Sequence, residues 1–317
     1  MKQLLFLVLP DVHVLDLSGP VQVFYEANGL GGGYRLRYCG PQSRVRTAQG
    51  LWLSDLEPLP ETEAGDTILV PGIDSKTLDR LEQVPVEWLR RVAAAGSRIC
   101  SICSGAFILA HAGLLDGREC TTHWKIADRL AARFPAARVL KDRLFVKDGP
   151  LVTSAGVASG IDIALAIVEE EHGPLAAGRV AREMVVYLRR DGSQAQASIF
   201  LSFRTHLNPG VHRVQDHLIA HPEEKPTIDR LARLAGMSRR NLTRAFRQAT
   251  GITLKAFSSR LKLEIAGNLL HDSSLTIEAV AARCGFEDAR QLRRLCKAKL
   301  GLTPSVWKSG KERRLAR

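Results

Sequence analysis

Arg98-Ile99-Cys100-Ser101-Ile102-Cys103-Ser104-Gly105-Ala106-Phe107-Ile108-Leu109-Ala110 reads as a strand, a sharp turn and a helix. Ser101-x-Cys103-x-Gly105 has the form of a nucleophile elbow, in which small neighbours let the backbone turn tightly and expose one side chain over a sheet edge. Outward from it, apolar strands alternate with helical stretches: Leu4 to Leu9, then Ile68 to Val70 ending at Pro71-Gly72, then a helix over Val86 to Ala95. Such alternation predicts a parallel α/β sheet covered on both faces, with ligands bound at the carboxyl ends of its strands. A thiol at the head of a helix feels the positive end of the helix dipole, so Cys103 is expected to be exposed and acidic, suited equally to reacting and to facing a ligand, although the spacing alone reads equally well as an inert core thiol. Cys100 and Cys103 form a Cys-x-x-Cys, but Cys100 falls mid-strand and no second ligand pair follows. No metal site is expected there, and no cofactor.

The chain has 317 residues, enough for two ordinary domains of roughly 150 each. Hydrophobic residues at 45% and charged residues at 25% exclude a disordered or collagen-like chain. Six cysteines without a paired framework fit a reducing compartment. Lys2 and the run Leu4 to Leu9 imitate the start of a signal peptide. The run stops at Pro10-Asp11 without a small-residue cleavage site, so a buried first strand and a cytoplasmic protein are expected, with no membrane span.

The net charge of +12 is unevenly placed. Residues 1–210 carry 23 Lys/Arg against 23 Asp/Glu, and residues 211–317 carry 22 against 10, so the whole excess lies in the tail. A small domain with that excess has the electrostatic footprint of a polyanion binder, nucleic acid foremost.

Within the tail, Thr227 is expected to cap a helix with Ile228, Leu231, Leu234 and Ala235 on one face. Gly236-Met237-Ser238 breaks it and caps a second helix, with Leu242, Ala245 and Phe246 inward and Arg240, Asn241, Arg244 and Arg247 outward. This helix-turn-helix pattern repeats. Thr227-Ile228-Asp229…Ala235-Gly236-Met237 recurs 49 residues later as Thr276-Ile277-Glu278…Cys284-Gly285-Phe286. One extra residue then makes the offset 50, pairing Arg240 with Arg290, Asn241 with Gln291, Leu242 with Leu292, Arg244 with Arg294, Gly251 with Gly301 and Thr253 with Thr303. Packing alone gives no reason to repeat an amide beside an arginine on an outer face. Arg to guanine and Asn or Gln to adenine are the pairings that major-groove readout favours. Arg239, Arg240, Asn241, Arg244, Arg290, Gln291, Arg293 and Arg294 are the candidate DNA-binding residues. A long helix over residues 257–270 would join the two units.

The tail from about Val211 to Trp307 resembles the AraC/XylS family of DNA-binding domains, including its closing signature Gly301-Leu302-Thr303-Pro304-Ser305-Val306-Trp307. It departs in Arg239, where a proline is common, and in Cys296, where an aromatic residue is common. Two recognition helices in adjacent major-groove segments are what this resemblance implies. Residues 3–187 resemble the ThiJ/PfpI family, of the class I glutamine-amidotransferase-like fold. The resemblance rests on Leu15-Asp16-Leu17-Ser18-Gly19-Pro20, Cys103 at the elbow, Ala112-Gly113-Leu114-Leu115-Asp116-Gly117, Thr121-Thr122-His123-Trp124 and Thr153-Ser154-Ala155-Gly156…Gly160-Ile161-Asp162. It implies that Asp16 faces the cysteine and that His123 approaches it. Protease-like members carry a histidine directly after the nucleophile, where this chain has Ser104.

A ThiJ/PfpI-like domain fused to an AraC-like tail resembles the GlxA family of transcriptional regulators. The expected organisation is a ligand-sensing and dimerising α/β domain over 1–188, a parallel-sheet sandwich with the elbow, then a linker over 189–210, then an all-α DNA-binding domain with two helix-turn-helix units over 211–317. The expected partners are double-stranded promoter DNA, a small-molecule effector held by Asp16, Cys103, Ser104 and His123, and a second copy of the chain. Two other readings stay open: a hydratase- or deglycase-like enzyme using Cys103, Asp16 and His123, and a redox sensor in which Cys100 or Cys120 resolves an oxidised Cys103. From the residues alone, Asp16 is equally readable as a helix cap and His123 as a helix-start residue.

Overall fold

A computed structural model describes residues 2–141, 143–156, 158–186, 203–204, 206–270 and 275–309. Contacts divide the chain into two units, Met1–Gln196 and Ala197–Arg317. Residues 189–202 and 205 of the expected linker lie outside the described residues.

The first unit is built on a six-stranded sheet in the order β2-β1-β5-β6-β10-β9, with β1 at Lys2–Leu7, β2 at Tyr34–Cys39, β5 at Thr67–Val70, β6 at Arg98–Ile102, β9 at Phe145–Asp148 and β10 at Leu151–Ser154. Two short ribbons, β3 (Val45–Arg46) with β4 (Trp52–Leu53) and β7 (Glu119–Cys120) with β8 (Arg138–Val139), lie outside it. The sheet is parallel, as expected, except at one edge. There β9 and β10 form an antiparallel pair around Gly149-Pro150, a hairpin that the βαβ pattern does not reveal.

The unbroken apolar run in β1 follows from burial on both sides. Leu5 and Leu7 enter one core with Ile68, Val70, Ile99 and Phe107. Leu4 and Phe6 enter the other with Leu69, Cys100, Ile102 and Val23. Among the described residues five helices accompany the sheet: α1 (Val14–Gly29), α2 (Val86–Ala94), α3 (Gly105–His111), α4 (Ala127–Arg133) and α5 (Ser159–Glu183), the last kinked at Gly173 with φ 84° before Pro174. The stretch from Pro174 to Glu183 is thus the second half of α5. Among the described residues no helix is long and apolar enough to cross a membrane.

The second unit is helical: α6 (Pro209–Ala220), α7 (Ile228–Ala235), α8 (Arg239–Thr250), α9 (Leu254–Leu270), α10 (Ile277–Arg283), α11 (Ala289–Leu300) and α12 (Pro304–Ser309). Because Asn208 caps α6 by accepting the Val211 N–H at 3.1 Å, Pro209 and Gly210 belong to a helix rather than to the linker. The repeat seen in the sequence is a repeat of caps. Thr227 and Thr276 accept the amides of Arg230 and Ala279, and Ser238 and Asp288 accept those of Asn241 and Gln291. Gly236, Gly251, Gly285 and Gly301 all take left-handed φ between 66° and 74° at or just past helix ends, a conformation that costs other residues strain. The extra residue of the second unit sits in its turn and moves the cap from a serine to Asp288. Helix α9 serves two cores, giving Phe257 and Leu261 to that of the first helix-turn-helix and Leu263, Ala266 and Leu270 to that of the second.

Candidate functional site

Cys103 stands at φ 54°, the strained conformation of an elbow, immediately after β6. Its backbone N–H donates to the Ser154 carbonyl at 3.1 Å, tying the turn to β10. The glycine two residues on is required by packing, since a Cβ at Gly105 would stand 2.2 Å from the carbonyl oxygen of Val70.

Asp16 arrives from α1. That helix begins at Val14, so Asp16 sits in its first turn with no capping role; the cap reading is corrected because the helix starts three residues earlier than the cap requires. The residue is fully buried. Its Oδ2 accepts the Gly72 N–H at 3.1 Å, whereas Oδ1 has no hydrogen-bond partner among the described residues. Burial pushes its pKa up to about 7, against the smaller opposing pull of the Gly72 amide and the Cys103 thiol. Gly72 leaves the room: a Cβ there would lie 2.5 Å from Asp16 Oδ2 and 2.8 Å from Ser104 Oγ.

The expectation of an exposed, acidic thiol is overturned. Cys103 is only 9% exposed, and burial followed by the charge of Asp16 pushes its pKa up to about 12. Desolvation of the thiolate outweighs the helix dipole, which contributes about 1 kcal/mol or less at an ordinary terminus. Cys100 and Cys120 are buried too, with pKa values pushed up to about 12 and about 11, so neither is a ready thiolate.

Ser104 is buried and turned onto the loop after β5. Its hydroxyl accepts the Ile73 N–H at 2.8 Å and donates to the Ile73 carbonyl at 2.6 Å, locking the loop after β5 onto the elbow. His123 lies in the segment before α4, not at its start. The hydroxyl of its neighbour Thr122 donates to the Cys103 carbonyl at 2.7 Å, and the His123 ring rests on Gly156, where a Cβ would meet it at 2.7 Å. Burial and nearby Lys125 lower its pKa, favouring the neutral imidazole. Trp124, 57% exposed, stands with its ring 5.6 Å from that of His123. Sequence reasoning missed Gly72 and Ile73, whose only signal was the Pro71-Gly72 ending of the strand.

On the helical unit, Arg240, Asn241 and Arg244 lie exposed on α8, and Arg290 and Arg294 on α11. Asn241 Oδ1 accepts from Arg244 Nη2 at 3.4 Å, and the remaining three candidates engage groups outside the set. Arg239 forms an ion pair with Asp229 of α7, and Arg293 reaches Glu278 of α10 at 3.4 Å. Gln291 Oε1 accepts the N–H of Glu287, the residue before the Asp288 cap, at 3.0 Å and so closes the start of α11. Asp229 and Glu278 occupy matching places in the repeat, a pairing that sequence reasoning had not used.

Two family models match the chain: the DJ-1/PfpI family over residues 2–170 and a helix-turn-helix domain over residues 231–310. The HTH-type transcriptional regulator CdhR of Pseudomonas aeruginosa is 30% identical over 305 residues, covering 95% of this chain and 89% of that protein. The HTH-type transcriptional regulator GlxA of Rhizobium meliloti is 33% identical over 303 residues, covering 94% and 93%. The chain belongs to the GlxA-like transcriptional regulators. It joins a DJ-1/PfpI domain to an AraC-type helix-turn-helix domain, and it is a DNA-binding transcriptional regulator. The isonitrile hydratase of Pseudomonas putida is 33% identical over 168 residues, covering 53% of this chain and 71% of that protein. That match covers about half of this chain, whereas those to CdhR and GlxA cover nearly all of it.

Proposed function

We propose that residues 1–188 sense a small effector at the Asp16–Cys103 pair, that residues 211–317 read promoter DNA with two helices, and that a cytoplasmic homodimer is the working form. The observation that carries the sensor reading is Asp16 Oδ1, a buried oxygen with no hydrogen-bond partner among the described residues. An orphaned polar atom costs about 1–3 kcal/mol, which a ligand with a matching hydrogen-bonding group would recover. Cys103, kept as a neutral thiol, is then a wall of the site, with His123 beside it and Ser104 holding the loop behind it. Such a ligand shifts a conformational population only as far as its affinities for the two states differ.

Thermal-shift screening of small metabolites against the full chain finds the effector, since a bound ligand raises the melting temperature through mass action. Cys103→Ser is expected to keep the response, whereas Cys103→Trp fills the site and abolishes it. Loss of the response in Cys103→Ser, together with turnover of an isonitrile or aldehyde by the wild type, would make the domain an enzyme. A disulfide formed by Cys103 at low peroxide would make it a redox sensor.

A further inference from the structure

We infer that the turn between α6 and α7 is a divalent-cation site of the zinc class, built from His221, Glu223 and Glu224 and set between the two DNA-reading units. The ligand atoms of these three side chains all lie within 4.8 Å of one another. His221 Nδ1 stands 3.9 Å from Glu223 Oε1 and 4.0 Å from Glu224 Oε1. A nitrogen and two carboxylate oxygens at that spacing need to close by under an ångström to meet one ion at the usual bond lengths of about 2.0–2.2 Å. Pro222 makes the turn stiff, and the Glu224 N–H closes it on the His221 carbonyl at 3.1 Å.

A second observation concerns the support behind these ligands. His217, one turn back on α6, brings Nε2 to 3.3 Å from Glu224 Oε2, and both atoms are buried. Arg230 of α7 stands 2.8 Å from that same oxygen, leaving Oε1 as the atom turned toward His221. An imidazole and a guanidinium fixing one oxygen of a carboxylate while the other is free to ligate is the usual arrangement behind a metal-bound carboxylate. Mixed imidazole and carboxylate donors favour zinc and its neighbours over magnesium or calcium. His221 and Glu223 are about half exposed, so an ion reaches the site from solvent.

The position gives the site a consequence. The carbonyl oxygens of Pro222 and Glu223 lie 2.6 and 2.7 Å from where a Cβ of Gly285 would stand, so this turn is wedged against the turn of the second unit. Lys225 approaches Glu287 at 4.0 Å on the same side. An ion drawing His221, Glu223 and Glu224 together would stiffen the wedge that sets one recognition helix relative to the other.

The test uses the full chain, stripped with chelator and titrated with zinc chloride by calorimetry and with cobalt(II) by visible absorption. One ion per chain is expected, without a thiolate charge-transfer band. His221→Ala and Glu223→Gln are expected to abolish binding while leaving the melting temperature in chelator unchanged, and His217→Ala to weaken binding by about tenfold or more. If His221→Ala perturbs folding, Glu223→Gln at an exposed position decides alone. Wild-type binding no stronger than that of Glu223→Gln would overturn the site and leave a plain histidine–glutamate ion-pair network. Zinc is further expected to change affinity for DNA selected by the wild type by about fivefold or more. Binding of zinc with no such change would overturn the coupling between the units.

Discussion

Asp16 and Cys103 share one buried contact and act on each other in opposite senses: the carboxyl helps to raise the pKa of the thiol, while the thiol's hydrogen bond restrains the rise that burial imposes on the carboxyl. The pair is therefore neutral together on the acid side of pH 7, and the carboxyl is its first member to ionise.

This gives stability a pH dependence of definite sign. The Asp16 carboxyl titrates near 3.8 when unfolded and near 7 when folded, so the folded state holds the extra proton between those values. Its stabilisation is complete below pH 3.8 and is lost as pH rises through 7. Relative to Asp16→Asn, the wild type is expected to lose up to about 1.4 kcal/mol per pH unit from pH 5 to 7, and little more from 7 to 8. Urea denaturation of both proteins across that range measures it; parallel curves would mean that Asp16 stays ionised.

Two glycines should respond oppositely to alanine. Gly105→Ala drives a Cβ into the Val70 carbonyl, where backbone cannot yield cheaply, and is expected to cost about 3 kcal/mol or more, or to prevent folding. Gly178 lies exposed within α5 with nothing within 4 Å of an added Cβ, so Gly178→Ala should stabilise by about 0.5–1 kcal/mol. Calorimetric melting of both variants distinguishes them.

Arg240→Ala, Asn241→Ala and Arg290→Ala are each expected to cost about 1–3 kcal/mol on DNA selected by the wild type, and much less on random DNA. Gln291→Ala should differ by also lowering the melting temperature, because its amide closes the start of α11. Equal losses on both DNAs would make these residues phosphate contacts.

Affinity for DNA should fall steeply with salt, as counterions leave where basic side chains meet phosphates. Asp229→Asn and Glu278→Gln remove the acids that hold Arg239 and Arg293. These pairs are largely exposed, so stability should change by less than about 1 kcal/mol. DNA affinity should rise and its salt dependence steepen; an unchanged salt slope would mean that the freed arginines stay off the backbone.

The alternation of strands and helices, the elbow, the doubled helix-turn-helix and the charge division were legible in the sequence because each depends on short-range patterns: a periodicity, a small-residue spacing, a cap, a run of like charges. The cap of the second recognition helix was half legible. The shift from an offset of 49 to one of 50 was plain, but Asp288 as the cap became evident only with the backbone in view. Sequence by itself also placed Arg240, Asn241, Arg290 and Arg294 on outer faces, since the apolar residues around them fix which side is inward.

Tertiary structure decided what depends on distant groups. The elbow spacing suggests an acidic thiol, yet Cys103 is pushed up to about 12 because α1 buries it against Asp16, 87 residues earlier in the chain. Asp16 looks like a helix cap until α1 is seen to begin at Val14. Arg239 and Arg293 look free until Asp229 and Glu278 reach them across the turn of each unit. The turn at His221 carries no local signal of its place, because Gly285, against which it packs, lies more than 60 residues away. Desolvation, ion pairing and close backbone approach are properties of groups brought together by folding, and no window of sequence contains both partners.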